Sequence, residues 1–356
     1  MTAIEFSIAA IWLGLYGFFI AVLFCVALLR ASLWRKKAKA AAARFSITQT
    51  ALVDYLAGSN DLTRLREFAK NREDFANVVL GFQGTVGGGA LNRLCEMGLE
   101  LGLVHDWVNE TRSRDPVRRR LAFARLAFVS AYEPCLRVSG DLLLQALQDG
   151  DPEVRISAAE AVIQAGKADD IPRVFHMAVA QNLLTRVVLT PALRRYAVDL
   201  AQATIPEVLH SSDVKSVQAA MEILLAWERA IPFQDLCYLL DHRDKRIRLQ
   251  ALNLAPLVPL APASRTEIVR ALNDPDPEIS MAAALSAGKL RIEEALPFLA
   301  RLLRVAPAEV ARTAANALAE MPPRGWQALE ELSERPNMVT AAAAMEALAR
   351  ARGTGF

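Results

Sequence analysis

The chain has few residues of the kinds that build metal or redox centres. It contains four cysteines and four histidines in 356 residues, and none forms a C-x-x-C pair or a matching histidine spacing. They are Cys25, Cys95, Cys135, Cys237, His105, His176, His210 and His242. We therefore predict free, mostly buried thiols, no metal site and no cofactor.

Charge of one sign and aromatic side chains are also scarce. The formal net charge is +2, aromatic residues make up 7% of the chain, and 53% of its residues are hydrophobic. Much of that hydrophobic fraction is alanine, which indicates closely packed helices rather than a β-rich core. Because aromatic residues do not alternate with basic ones, we predict that the chain does not bind nucleic acid.

One long hydrophobic run is present, near the start of the chain. Residues 8–29 contain no charged side chain. As a helix they would span roughly 33 Å, which is enough for a bilayer core of about 30 Å. A cleaved signal peptide is the alternative, but the run is long for one and no cationic segment precedes it. In a lipoprotein signal, Phe24 would occupy the small-residue position before Cys25. We predict an uncleaved transmembrane anchor over residues 1–30.

Basic residues after the hydrophobic run predict its orientation. Only Glu5 and the terminal amine precede the run, whereas a dense group of cations follows it, and basic flanks stay in the cytoplasm. We predict a single-pass protein of a bacterial inner membrane, with the N-terminus out and the C-terminus in. Residues 31–45 would form a basic stalk beside anionic lipid headgroups. The predicted membrane-surface residues are Arg30, Arg35, Lys36, Lys37 and Lys39.

The rest of the chain repeats itself at intervals of roughly 30 residues, as stacked helical pairs do. A Val or Ile is followed four or five residues later by alanine in most copies. These anchors are Val117, Val154, Val187, Val214, Ile247, Ile279, Val310 and Val339. Small residues such as Ala159 and Ala315 would let neighbouring helices approach closely. Between anchors lies a second apolar segment with helical spacing, for example 295–303.

The best copies carry a helix-start signal. Asp151 can cap a helix, Pro152 fits its first position, and Glu153 favours the positive end of the helix dipole. The same order recurs at 276–278. A pair of short helices cannot bury its apolar face alone, so the units must stack. We predict an all-α fold: an α-solenoid of stacked helical pairs over residues 113–356, a divergent helical N-terminal cap over 46–112, and one transmembrane helix before them.

The segments 147–155 and 272–279 resemble the HEAT-repeat family, in particular its short bacterial repeats. The resemblance covers roughly residues 113–350 and implies the solenoid fold. It implies almost nothing about activity, because the matching positions are caps and packing residues. The copies near Val187 and Val214 lack the Asp-Pro cap.

Two basic clusters are the candidate binding residues. Their predicted partner-binding members are Arg118, Arg119, Arg120, Arg125, Lys245, Arg246 and Arg248. One interpretation is a solvated helix face with weak local ion pairs; the other is a surface for an acidic protein or for anionic lipid. Spacing places Arg118 and Arg125 on one helix face, where both could flank a groove.

Catalytic residues are not evident. The glycine-rich segment 81–89 lacks the Gly-Lys-Ser/Thr ending of a phosphate loop, so we predict a loop between helices. Adjacent carboxylates such as Glu293 and Glu294 point in different directions on a helix and do not form an acid/base pair.

Two functions remain as hypotheses. The first is a membrane-anchored, non-enzymatic scaffold whose cytoplasmic solenoid binds a membrane-associated protein, as an accessory subunit of an envelope or exopolysaccharide synthesis complex. The second is an enzyme, because the repeats are also similar to the HEAT-like repeats of phycobiliprotein lyases. We prefer the scaffold and predict no catalytic residue.

Overall fold

The computed structural model describes residues 24, 30, 42–59, 61–82, 84–228, 236–334 and 338–353. Within these ranges the regular structure is helical, without a strand. This confirms the all-α prediction. The chain divides into two compact units between Ser139 and Gly140. The predicted domain boundaries at 45 and 112 stay predictions.

The first unit contains six helices and the start of a seventh that crosses the boundary. They are α1 (42–56), α2 (Leu62–Phe68), α3 (Arg72–Leu80), α4 (Gly88–Glu100), α5 (Leu103–Glu110), α6 (Pro116–Val129) and α7 (Glu133–Ala146). The glycine-rich segment is an interhelical loop only up to Gly87, because Gly88 and Gly89 form the start of α4.

The second unit continues with fourteen described helices. They are α8 (Pro152–Ala165), α9 (Ile171–Ala180), α10 (Leu183–Leu193), α11 (Ala197–Gln202), α12 (Thr204–Leu209), α13 (Val214–Trp227), α14 (Leu236–Leu240), α15 (Lys245–Leu254), α16 (Pro262–Ala271), α17 (Pro277–Lys289), α18 (Leu296–Val305), α19 (Ala308–Ala319), α20 (Arg324–Ser333) and α21 (Met338–Ala351).

Helices of the second unit stack in two layers. One layer, which we call the capped layer, follows the order α8, α10, α13, α15, α17, α19, α21, each helix packing on the next. Behind it lies a partner helix for each pair: α9 on α10, α12 on α13, α14 on α15, α16 on α17, α18 on α19 and α20 on α21. This arrangement confirms the predicted solenoid of helical pairs.

The predicted helix starts are confirmed. The Asp151 side chain accepts hydrogen bonds from the backbone N–H of Glu153 at 2.9 Å and of Val154 at 3.2 Å, and Pro152 begins α8. Asp276 likewise accepts from the N–H of Glu278 at 2.9 Å. These bonds satisfy N–H groups that the first helical turn leaves without partners.

Two units without the Asp-Pro signal are capped by other means. The side chain of Asn182 accepts from the N–H of Thr185 at 3.0 Å, and Asp213 accepts from the N–H of Ser216 at 3.2 Å. The helix start therefore does not require proline.

The predicted anchors are buried in four of the best copies. Val154, Ile247, Ile279 and Val310 are all at most 3% exposed. Ala159 and Ala315 are fully buried, as expected for close helix contacts.

Three anchor positions were predicted in the wrong register. Val117 and Val187 are 54% and 60% exposed, and Val214 is half-buried. In α10 the cap is Asn182, so the third residue after it is Thr185, which is buried in place of Val187. The side chain of Val339 lies outside the described residues.

Two helices of the capped layer, α17 and α19, approach each other closely at Gly288. A Cβ added to Gly288 would lie 2.8 Å from the Cα of Ala317, closer than real Cβ atoms come. The capped layer therefore uses a residue without a side chain where two helices touch.

Free thiols are found at each described cysteine: Cys95 and Cys135 are buried and Cys237 is half-buried. This confirms the cysteine prediction for these three residues; Cys25 lies outside the described residues.

The predicted anchor, residues 8–29, falls almost entirely outside the described residues. Among the helices that are described, none combines the length and the apolar character needed to cross a membrane.

Candidate partner-binding surfaces

Arg125 does not belong to an exposed cluster. It is 8% exposed, and its Nη1 donates to Glu110 Oε2 at 2.9 Å, which ties α6 to α5. Burial with a paired charge is the usual condition for an interior arginine. The interpretation of Arg125 as a partner-binding residue beside Arg118 is therefore corrected.

Arg119 is committed to the turn before its own helix. Its Nη1 donates to the backbone carbonyls of Ser113 at 2.9 Å and Arg114 at 3.2 Å. Arg120 is half-buried. Arg118 is the exposed member of the group, with a side chain 74% accessible and only a 3.9 Å approach to Asp115.

Lys245 of the second basic cluster forms ion pairs between two neighbouring repeats. Its Nζ lies 2.6 Å from Asp276 and 2.8 Å from Glu278 of α17. The hydrogen bond from Lys245 lowers the pKa of the Asp276 carboxyl, and the hydrogen bonds to Asp276 and Glu278 raise the pKa of Lys245. This lysine stabilises the stacking of α15 on α17.

Arg248 repeats the role of Arg119. Its Nη1 donates to the carbonyls of His242 and Arg243, both at 3.1 Å, and its Nη2 lies 3.5 Å from Asp274 of the next unit. Arg246, which lies between Lys245 and Arg248 in the sequence, is exposed.

The predicted membrane-surface residues lie mostly outside the described part. Arg30 is described as helical and exposed. The others, Arg35, Lys36, Lys37 and Lys39, fall outside it, so their role stays a prediction.

A recurring turn explains why so many polar residues are unavailable to a partner. In α8, Asp149 accepts from the N–H of Asp151 at 2.9 Å, and Arg155 Nη1 donates to the carbonyls of Asp149 at 2.6 Å and Gly150 at 3.3 Å. The residue two before the cap and the arginine four after it thus bind the same turn. Similar pairs begin α6 and α15.

The surface that sequence reasoning missed lies on α10. Leu183, Leu184 and Val187 are 62%, 65% and 60% exposed, and Val188 and Pro191 are exposed beside them. We call these five residues the α10 strip. Its members recur at helical spacing. The sequence analysis missed them because it assigned Val187 to the core as a buried anchor.

Neighbouring helices of the capped layer do not share this apolar character. At the corresponding outward positions, α8 carries Glu153 and Glu160, and α13 carries Lys215 and Glu222. An apolar surface rimmed by polar residues is typical of an interaction site.

The α10 strip forms one wall of a groove against α13. Leu183, Val187 and Pro191 line one side, and Ile223 and Trp227 lie on the other, around a volume of about 520 Å³. We call this the α10 groove. Trp227 is fully buried, and its Nε1 donates to the carbonyl of Thr190 at 2.8 Å, so the two walls are joined.

The charged residues of the α10 groove leave one positive charge unbalanced. Arg186 Nη2 lies 3.0 Å from Glu222 Oε2, and these two neutralise each other. Arg194 also lines the groove and is exposed. No carboxylate of the described residues forms an ion pair with Arg194.

A metal site receives no support from the geometry of the described residues. In the part of the chain that the structure describes, no group of three or more His, Cys, Asp or Glu side chains could hold a metal ion. The prediction that the chain needs no metal or cofactor stays a prediction.

Profiles of known families match two parts of the chain. The HEAT-repeat profiles match residues 141–167 and 233–319. None of the curated proteins matches the chain in sequence.

Several solved structures have a similar helical course at low identity. An engineered protein is 17% identical, with 88% of this chain and 94% of that chain covered and a TM-score of 0.31. A chain from a structure of Kap95p bound to RanGDP is 11% identical, with 78% and 46% covered and a TM-score of 0.47. Human deoxyhypusine hydroxylase in complex with glycerol is 16% identical, with 86% and 98% covered and a TM-score of 0.30.

This chain therefore covers less than half of the second of these relatives. The repeat profiles, the capped helix starts and the two-layer stacking agree with one another. Together they identify the chain as an all-helical solenoid that carries HEAT repeats at residues 141–167 and 233–319.

Proposed function

We propose that this protein is a non-enzymatic scaffold that binds a protein partner through the α10 groove and is held at a membrane by residues 8–29. The α10 strip carries the proposal, because burial of exposed apolar side chains is the main driving force of protein association. Solenoids of this kind offer long surfaces on which a few unit-specific residues set the partner.

The framework residues support the same function indirectly. Asp151, Arg155, Lys245 and Arg248 all have hydrogen bonds or ion pairs within the solenoid. The repeated polar residues therefore stabilise the stack, while binding falls to residues that differ from unit to unit. Among the basic clusters, Arg118 and Arg246 are the exposed members that remain candidates for an acidic partner or for anionic lipid.

The membrane tether is supported by the uncharged run at residues 8–29 and the cations after it. We propose an inner-membrane protein with the solenoid in the cytoplasm. A tether raises the local concentration of a weak binding surface near a membrane-associated partner without any new contact. An accessory role in an envelope or exopolysaccharide synthesis complex is consistent with that arrangement.

The membrane tether is tested by measuring the topology of the chain, and the scaffold is tested by capturing its partner. A phosphatase that is active only outside the cytoplasm, fused after Phe356, should be silent, and the chain should stay in membranes washed at alkaline pH. Strong phosphatase activity would reverse the proposed orientation.

For the scaffold, the tagged full chain in mild detergent should retain a partner in a fixed ratio. A chain that retains nothing at physiological salt would contradict the scaffold proposal.

A further inference from the structure

We infer that the α10 groove binds an amphipathic helix of a partner protein, whose apolar face covers the α10 strip and whose carboxylate faces Arg194. The inference rests on the proposed function, since it specifies the partner of the same surface. It follows from the length of the strip, its backbone chemistry and its charge.

The dimensions of the strip match about two turns of a helix. Leu183, Val187 and Pro191 recur every four residues, which at about 1.5 Å per residue extends over roughly 12 Å. A helix with apolar side chains three and four residues apart would place successive anchors against successive members. The groove between two neighbouring helices is the kind of surface on which a third helix packs.

Backbone hydrogen bonding favours a helix over an extended peptide. Helical hydrogen bonding uses the interior N–H and C=O groups of α13 and most of those of α10, where Pro191 has no N–H to donate to the carbonyl of Val187. An extended segment in the α10 groove would bury most of its own peptide groups without partners, and each would cost free energy. A helix satisfies its backbone internally and avoids this cost.

The charge of the groove favours a partner helix with an acidic end. Arg186 and Glu222 form an ion pair, so Arg194 supplies the unbalanced charge of the groove. Arg195, the next residue, is also exposed. A partner helix with Asp or Glu at the end nearest Arg194 is therefore favoured over one with Lys or Arg.

A bilayer fits this surface less well than a protein helix. Three of the strip residues, Leu183, Val187 and Pro191, line a concave groove rather than a protrusion. The charge of Glu222 is balanced by Arg186, and the exposed Glu160 on α8, a helix that packs on α10, would repel anionic headgroups.

A second copy of the chain also fits poorly. The strip contributes five side chains, whereas a standard interface uses about 20–30 residues on each side. Two strips pressed together would also bring no carboxylate from the strip itself to Arg194. A separate helix needs only the area of one groove and brings its own acidic residue to Arg194.

The experiment uses the full chain with a photoreactive side chain at position 187, and a matched sample with it at position 285. Leu285 is an exposed apolar residue of the same layer on α17, 47% accessible. Irradiation in intact cells should give a discrete protein adduct at 187 and none at 285. Mass spectrometry of the adduct should locate a segment with helical apolar spacing and an acidic end.

A synthetic peptide of that segment then measures the contributions separately. Val187→Glu should weaken binding at least about tenfold, since it places a charge in the apolar contact. Leu285→Glu should change nothing. Arg194→Glu should weaken binding about two- to fivefold. A peptide with its acidic residues changed to Lys should bind the Arg194→Glu chain better than the wild-type chain. Arg312→Glu, at an exposed arginine of α19 in the same layer, is the matched control for charge and should show no such preference.

Each other outcome overturns the inference. An adduct with lipid, with another copy of the chain or with residues 1–41 of the same chain would replace the partner helix by that occupant. Absence of an adduct at 187, while a partner still copurifies, would refute this site but leave the scaffold in place. Absence of any copurifying partner for the wild-type chain would refute the proposed function itself.

Discussion

The repeats from α14 to α20 and the helices from α9 to α13 stack in the same two layers, but they differ in the side chains that they expose. In the first region, Lys245 joins α15 to Asp276 at the start of α17, and the outward positions are largely polar. In the second, α10 leaves five apolar side chains exposed, contains Pro191 in its interior, and is followed by two helices of six residues each.

This difference teaches where to look for function in a repeat protein. A unit that keeps every cap and turn residue uses its polar side chains to stabilise the stack. A unit that departs from the pattern must hold its helices by other contacts, and its surface is then free to differ. In this chain the departing unit is joined through Trp227 and Thr190, and it carries the apolar groove.

The largest expected effect tests the tight packing of the regular repeats. Gly288→Ala should lower the free energy of unfolding by about 2 kcal/mol, because the new methyl overlaps the backbone of Ala317. The gain in helix propensity, about 1 kcal/mol, is too small to offset the overlap. Urea unfolding followed by circular dichroism measures the change. Gly150→Ala is the control, since nothing lies within 4 Å of its added Cβ; equal stability of both variants would mean that α17 and α19 can separate.

A smaller effect tests how the irregular region is held. Trp227→Phe should cost about 1.5 kcal/mol, because the carbonyl of Thr190 loses its donor and a cavity opens beside α10. Trp326→Phe provides a comparison, since its Nε1 also donates to a backbone carbonyl, that of Ala319, but it is only part-buried. If Trp326→Phe proved the more damaging substitution, the proposed importance of Trp227 would not stand.

The smallest expected effect is on stability at acid pH, and it concerns the ion pairs of Lys245 between α15 and α17. Asp276 has a lowered pKa because Lys245 donates a hydrogen bond to it. A carboxyl with a depressed pKa in the folded state stabilises the fold above its unfolded pKa, about 3.9, and loses this contribution as the pH falls through the folded pKa. Lys245→Met should therefore lower the urea midpoint slightly at pH 7, and the difference from wild type should shrink below about pH 4. Arg246→Met, on the exposed side, should show no such pH dependence.

Helix starts were readable from the sequence because their chemistry is local. Asp151 and Pro152 need only the next two residues to determine where α8 begins. The register of α10 was not readable, because Asn182 is a weaker signal than Asp-Pro and the four apolar residues at 183, 184, 187 and 188 look like core. Burial there is decided by which helices stack beside α10, and that is tertiary information.

Arg125 illustrates the same limit for charged residues. Its position in an arginine-rich segment predicts exposure, but its partner Glu110 lies fifteen residues earlier on another helix. Spacing along one helix predicts that Arg118 and Arg125 lie on one face. It does not reveal that another helix covers this face at Arg125. The candidate groove was missed for the opposite reason, since exposed leucine and valine carry no chemical signature of their own.

The turn held by Arg155 has a consequence for how such a chain can change in length. Its bonds to the carbonyls of Asp149 and Gly150, and the bond from Asp149 to the N–H of Asp151, all lie within seven consecutive residues. A unit with this turn brings its own means of starting the next helix, whatever precedes it. Duplication or loss of a whole unit would therefore leave the neighbouring turns intact, and the stack can lengthen or shorten by entire helical pairs while a specialised unit such as that of α10 is kept.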